Sequence, residues 1–148
     1  MRSIFLILFV VAGLLTSCDK SPQPINYGEE ECHFCRMGIV DATHAAQIVT
    51  EKGRNYKFDA TECMINFLRT EMEEDKMLHV LSANLKDPGT LINVYDATFI
   101  ISENIPSPMG AFLSALNSKE AAIALQQENG GELYTWEEVK KVIANQRH

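Results

Sequence analysis

The chain has 148 residues, 46% of them apolar, and carries 13 Lys plus Arg against 20 Asp plus Glu, for a formal charge of −7. An acidic chain without a basic patch excludes a nucleic-acid binder, and this length suits one domain or two very small ones. Four cysteines and four histidines leave thiol and metal chemistry open.

The chain begins MRSIFLILFVVAGLLTSC, with one early charge, Arg2, and then an uncharged apolar run from Ile4 to Leu15. That run is too short to span a bilayer as a helix but suits the core of a secretory signal. Leu15-Thr16-Ser17-Cys18 looks like a bacterial lipoprotein cleavage box. Residues 1–17 are therefore expected to be a signal peptide and Cys18 the lipidation site. Acyl chains there would hold the protein on the non-cytoplasmic face of a bacterial envelope membrane without crossing it. Residues 18–30, which include DKSPQPINYG with its two prolines, are expected to form a tether, and residues 31–148 the folded domain.

Next come AAQIVTEKGRNYKFD, two β-rich runs around a Glu-Lys-Gly turn and hence a hairpin, and DATECMINFLRTEM. The latter places Met64, Phe67, Leu68 and Met72 at helical spacing. Asp59 with Glu62 reads as a capping box, so a helix should start near Ala60. Strands return in MLHVLSANL and TLINVYDATFIIS on either side of KDPG. A Pro-rich turn leads to Met109. A helix is expected after Ser118 and should end at Asn129-Gly130-Gly131, followed by a short extended ELYTW. A final helix should be capped by Thr135 and Glu138 and bury Trp136, Val139 and Ile143. The fold class is α+β. The stretches AAQIVTEKGRNYKFDATECMINFL and AAIALQQENGGELYTWEEVKKVI read alike, which suggests two related ββαβ-type halves, residues 31–101 and 102–148.

The chemistry concentrates in ECHFCRM, residues 31–37. Haem attachment needs Cys-x-x-Cys-His, and the residue after Cys35 is Arg36. Zinc wants four N or S ligands, which His33 with three cysteines would supply in an unusual pattern. Cys-x-x-Cys is also the spacing of thiol-disulfide exchange, although the pair precedes a hairpin instead of lying within a βαβ unit. A plain Cys32 to Cys35 disulfide is a further alternative. Thiolate and thioether together select Cu(I). Met37 lies beside the pair, and Met109 sits in a turn between Pro108 and Gly110, where its sulfur would be presented outward. Read instead as core, Met109 would cap AFLSAL as a helix. Cys63 falls in the apolar stripe of the first helix and reads as a buried thiol. With Cys18 lipidated, three thiols remain, so at least one is free, buried or on a metal.

The order ECHFCRMGIVD, AAQI, NYKFD, ECMINFL, SPMGAF and NGGELYTWEEV, following a lipobox, resembles the NosL family of envelope copper lipoproteins, associated with maturation of nitrous oxide reductase. The resemblance implies a pair of small ββαβ units and a Cu(I) chaperone that delivers copper to an envelope enzyme without turning over a substrate. It implies Cys32, Cys35, Met37 and Met109 as the motif residues, with His33 a weaker candidate ligand. The implied partners are a recipient copper enzyme or its assembly factors, and the membrane through the lipid. An envelope thiol-disulfide protein using Cys32 and Cys35 is the alternative. Arg36 departs from the family pattern, which would place Gly there.

Overall fold

A computed structural model of the chain describes residues 19–146. The signal peptide and the lipidation site at Cys18 lie outside the described residues. No helix among the described residues is long and apolar enough to cross a membrane.

Strands β1 (Ala46–Thr50) and β2 (Asn55–Phe58) form the expected hairpin, paired antiparallel from Ala46 with Phe58 to Val49 with Asn55. Helix α1 (Thr61–Thr70) follows, then a short 3-10 turn, Glu74–Lys76, and β3 (Met77–Asn84) returns beside β1. A tight turn at Leu85 and Lys86 leads into β4 (Asp87–Asn93). The KDPG stretch, read as a boundary between strands, thus lies mostly inside β4; its proline is tolerated because β4 is an edge strand paired only with β3. Strands β5 (Thr98–Ile101) and β6 (Leu113–Leu116), helix α2 (Lys119–Asn129), strand β7 (Glu132–Tyr134) and helix α3 (Trp136–Asn145) complete the chain. AFLSAL is therefore strand, not helix: Ser114 and its neighbours pair antiparallel with β5.

The sheet runs β2-β1-β3-β6-β5-β7, with β4 on β3. One parallel pairing, Asn84 with Ala115, joins β3 to β6. The chain is thus α+β. β1 lies between β2 and β3, and β5 lies between β6 and β7, so β1-β2-α1-β3 and β5-β6-α2-β7 have the same connectivity. The two stretches that read alike in sequence do not follow this correspondence. Ala45-Ala46 opens a strand, whereas Ala121-Ala122 sits inside α2, and a division after residue 101 cuts β5 from its partners. Both stretches are amphipathic and share a turn glycine, which is enough to produce the likeness without structural equivalence.

Alternation along the strands sorts the core. Phe99 of β5 points to the face covered by α1 and α3, where its ring lies 5.5 Å from that of Trp136, and it joins Ile48, Phe58, Met64, Leu113, Val139 and Ile143. Ile100, one residue on, faces the other way into a smaller cluster with Leu116, Ala122 and Leu125 under α2. Burying each large side chain stabilises by about 1.5 to 3 kcal/mol. The α3 terminus forms as expected: Thr135 and Glu138 make the reciprocal capping box. Ser118 caps α2 by accepting from the Ala121 N–H.

The capping box expected for α1 does not form. Ala60 is the N-cap without any side-chain bond, and both Asp59 and Glu62 are turned inward to other work. Residues 19–30 are likewise not a free tether. Gln47, fully buried on the far face of β1, donates to the Gln23 carbonyl at 2.8 Å, Lys57 donates to the Pro24 carbonyl at 2.6 Å, and Lys57 also pairs with Glu30. Ile25 and Tyr27 pack against the main core. The prolines hold this segment extended, and its polar backbone finds partners along β2.

Candidate metal centre

Residues 31–38 close into a small hairpin. Glu31 bridges Gly38, the Cys32 N–H donates to the Met37 carbonyl at 2.7 Å, and the Arg36 N–H donates to the Cys32 carbonyl at 3.0 Å. The His33 N–H donates to the Lys57 carbonyl at 2.8 Å, which fixes the loop against β2. The turn requires a left-handed residue at its end, and Arg36 occupies that position with φ 67°. Glycine adopts this conformation at no steric cost, which would give a backbone reason for the glycine that the family resemblance leads one to expect here.

β2 ends at Phe58, so Asp59 and the first turn of α1 come back over the hairpin. As a result the Cys32, Cys35 and Cys63 sulfurs and a carboxylate oxygen of Asp59 all lie within 4.8 Å of one another. The three thiols are free; Cys32 and Cys63 are buried, while Cys35 is half-buried at the mouth and donates to Asp59 Oδ1 at 3.5 Å. The neighbouring Cys63 thiol is the largest influence holding Cys32 down at about 6, helped by the Cys35 and Asp59 amides and opposed by burial. Burial pushes Cys35 up to about 11, reinforced by the neighbouring Cys32 and Asp59. Cys63 is pushed up, first by the neighbouring Cys32 and then by burial. The group thus sets an acidic Cys32 beside two thiols that hold their protons more tightly than usual, protons that would leave on binding a soft cation.

Of the residues singled out in the sequence, the structure brings Cys32 and Cys35 together. Met37 stands on the hairpin with 56% of its surface exposed, beside Phe34 and Val40, which are also exposed. Met109 is half-buried and packs against the large core cluster that also contains Cys32 and Cys63. Ser107-Pro108-Met109-Gly110 forms a β-turn closed by the Gly110 N–H to the Ser107 carbonyl at 3.0 Å. His33 does not join the donor group. Its ring packs edge-on against Tyr56 and Phe67, at 4.6 Å and 5.3 Å between centroids, so the zinc set of His33 with three cysteines is not assembled.

Sequence reasoning missed two members. Cys63 was assigned to the core by helical spacing, which is true of its burial but silent about what it is buried against. Asp59 was assigned to a helix cap. The signal available was their position, a carboxylate and a thiol four residues apart, directly after a strand whose lysine anchors the Cys-x-x-Cys loop.

His44 sits apart from the thiols. Its Nδ1 meets Asp41 at 2.8 Å and its Nε2 meets Ser114 at 3.1 Å. The order is that of a hydrolytic triad, but Ser114 is sealed within β6 at 1% exposure, so the network serves to join the loop before β1 to β6.

The chain is 26% identical over 152 residues to the copper-binding lipoprotein NosL of Stutzerimonas stutzeri, covering 93% of this chain and 80% of that protein. Its fold is similar to the crystal structure of the copper chaperone NosL from Shewanella denitrificans, with a TM-score of 0.69 at 23% identity, over 81% of this chain and 96% of that one. The NosL family profile matches residues 24–144, and the chain belongs to the NosL family.

Proposed function

We propose that this chain is a lipid-anchored metallochaperone that binds Cu(I) and delivers it to an envelope copper enzyme, nitrous oxide reductase, or to the factors that assemble it. The observation that carries this reading is the convergence of three thiols within 4.8 Å of one another, with Met37 exposed on the same hairpin and Met109 packed against the core cluster that contains Cys32 and Cys63. Thiolate and thioether are the donors that select Cu(I), and relatives carry copper in their names. Cys32 and Cys63 form the buried floor, Cys35 sits at the rim, and Met37 stands outside it. In this reading copper enters through the exposed thioether, exchanges onto Cys35 as its proton leaves, and reaches Cys32. Release runs the other way when a partner's ligands add at the rim. Lipidation at Cys18 would keep the protein on the envelope membrane.

The test is Cu(I) competition against a chromophoric chelator, using the reduced chain without its first seventeen residues. The Cys32→Ser/Cys35→Ser and Met109→Ala variants should both bind more weakly than the parent. Unchanged affinity in both sinks the proposal. Delivery is tested in cells, where loss of the protein should leave nitrous oxide reductase without copper.

The reading as a thiol-disulfide protein draws on the contrast between Cys32, at about 6, and Cys35, at about 11. An attacking thiolate must be reachable, however, and here the acidic thiol is the fully buried one. The accessible Cys35 is the protonated partner, an arrangement better suited to receiving a metal than to attacking a disulfide.

A further inference from the structure

Glu62 is 1% exposed and lies directly before Cys63 in α1, with no lysine or arginine bonded to it. Burying a carboxyl is costly unless its oxygens are occupied. One oxygen is: Oε1 accepts from the Ser107 hydroxyl at 2.5 Å. Burial raises the pKa of this carboxyl, and its Oε2 is buried without a hydrogen-bond partner among the described residues. Ser107 opens the Ser-Pro-Met-Gly turn. The carboxyl of Glu62 therefore reaches the first residue of the turn that carries Met109, from a helix position adjacent to one of the clustered thiols.

We propose that Glu62 is a positioning residue: its carboxyl clasps the 107–111 turn through Ser107 and so holds Met109 against the thiol cluster as its closing ligand. This rests on the reading of Met109 as a copper ligand. Beyond the Gly110 N–H to Ser107 carbonyl bond that closes it and the Ser102 N–H to the Phe112 carbonyl after it, the turn has little else to hold it. Pro108 supplies no N–H, Gly110 and Phe112 both have positive φ, and Met109 is only half-buried. A purely structural carboxyl at this place would be better replaced by an apolar residue of the same volume. A carboxyl that fixes the approach of a ligand-bearing turn has a reason to stay.

The experiment uses the reduced protein with Cu(I) as the probe and has two readouts, competition affinity and the sulfur count at copper from X-ray absorption. Glu62→Ala and Ser107→Ala should each weaken binding by about 10- to 100-fold, as outer partners of metal ligands do. Each should lose the same single sulfur that Met109→Ala loses, and the Glu62→Ala/Met109→Ala double variant should be no weaker than Met109→Ala alone. Glu62→Gln keeps an acceptor for Ser107 and should restore both readouts. Effects of Glu62→Ala and Met109→Ala that multiply, or a full sulfur count in Glu62→Ala, overturn the clasp. If Met109→Ala alone leaves affinity and sulfur count unchanged, it is the ligand reading that fails. The clasp is then decided by amide exchange over residues 105–112: faster exchange in Ser107→Ala supports it, and unchanged protection overturns it.

Discussion

Cys63, in the first turn of α1, lies with its sulfur within 4.8 Å of that of Cys32 in the hairpin loop, and as a neighbouring thiol donor it is the largest influence holding Cys32 down at about 6. Removing the donor should therefore move the acceptor. In Cys63→Ala, the thiolate absorbance of the reduced, metal-free protein should titrate from well above about 6 toward the ordinary cysteine range, about 8.5. Cys63→Ser keeps a hydroxyl donor and should shift less. Both variants should bind Cu(I) more weakly, by about tenfold or more in the Ala case. An unaltered titration would show that the backbone amides alone hold Cys32 down.

The same three thiols set how stability responds to pH in the reduced, metal-free chain. Cys32 has a folded pKa below its unfolded one, so between about 6 and about 8.5 the unfolded chain binds one more proton and stability rises with pH. Cys35 and Cys63 are shifted upward, so above about 8.5 the folded chain retains two protons that the unfolded chain releases, and stability falls. Denaturant midpoints should pass through a maximum near pH 8.5, with the alkaline limb about twice as steep as the acid one. Substituting all three cysteines by Ala should flatten the profile across that range.

How far the sequence discloses this arrangement depends on whether the deciding contact is local. The β1-β2 hairpin, the start of α1, the Ser118 cap and the Thr135 capping box are set by residues within a few positions of one another, and the structure has them where the pattern puts them. Asp59 and Glu62 show the limit. Locally they spell a helix cap, yet Asp59 faces Cys35 and Glu62 holds Ser107 in a distant turn. Burial against a loop from elsewhere offered them stronger partners than the helix N-terminus did. Residues 19–30 look like a spacer because they lack large apolar side chains, but their backbone carbonyls are the acceptors that Gln47 and Lys57 need. Cys63 was legible as buried and illegible as a neighbour of Cys32, because periodicity reports a face and not what covers it.

Glu74 shows a second long-range junction and a stability prediction. Its Oε1 accepts from the Trp136 indole at 2.6 Å and the Tyr95 hydroxyl at 2.7 Å, and its Oε2 meets Lys140 at 2.7 Å, so one carboxylate pins α3 to the turn after α1. Burial raises its pKa, but the bonds from Lys140, Trp136 and Tyr95 outweigh this and leave it below the usual carboxylate value. Glu74→Ala should cost about 2 to 3 kcal/mol by denaturant unfolding, and Glu74→Gln, which retains the neutral bonds, about 1 kcal/mol. Because the folded pKa is depressed, this stabilisation is complete above the unfolded value of about 4.3 and is lost as pH falls through the folded one. Glu74→Ala should therefore be less sensitive to acid than the parent.

Arg36 can be decided in the same terms. Its backbone sits at φ 67° because the 32–37 hairpin loop must turn left-handed before Met37 rejoins the pairing with Cys32. A side chain there costs about 1 to 2 kcal/mol in the folded state, while a glycine would give back part of that through the greater freedom of its unfolded chain. Arg36→Gly should therefore stabilise the reduced protein by a net 0.5 to 1 kcal/mol, roughly, seen as a higher denaturant midpoint with an unchanged slope. Arg36 is exposed, and its charge, after burial, helps to hold the neighbouring His33 below the ordinary imidazole value. Removing it should thus let His33 take up its proton at a higher pH, which proton-detected titration of the ring would record. If the left-handed turn is the reason to expect glycine there, Cu(I) affinity should hold in Arg36→Gly and fall in Arg36→Val, whose branched side chain tolerates that conformation least. A large loss of affinity in Arg36→Gly would instead assign the guanidinium a direct part in holding the thiolates.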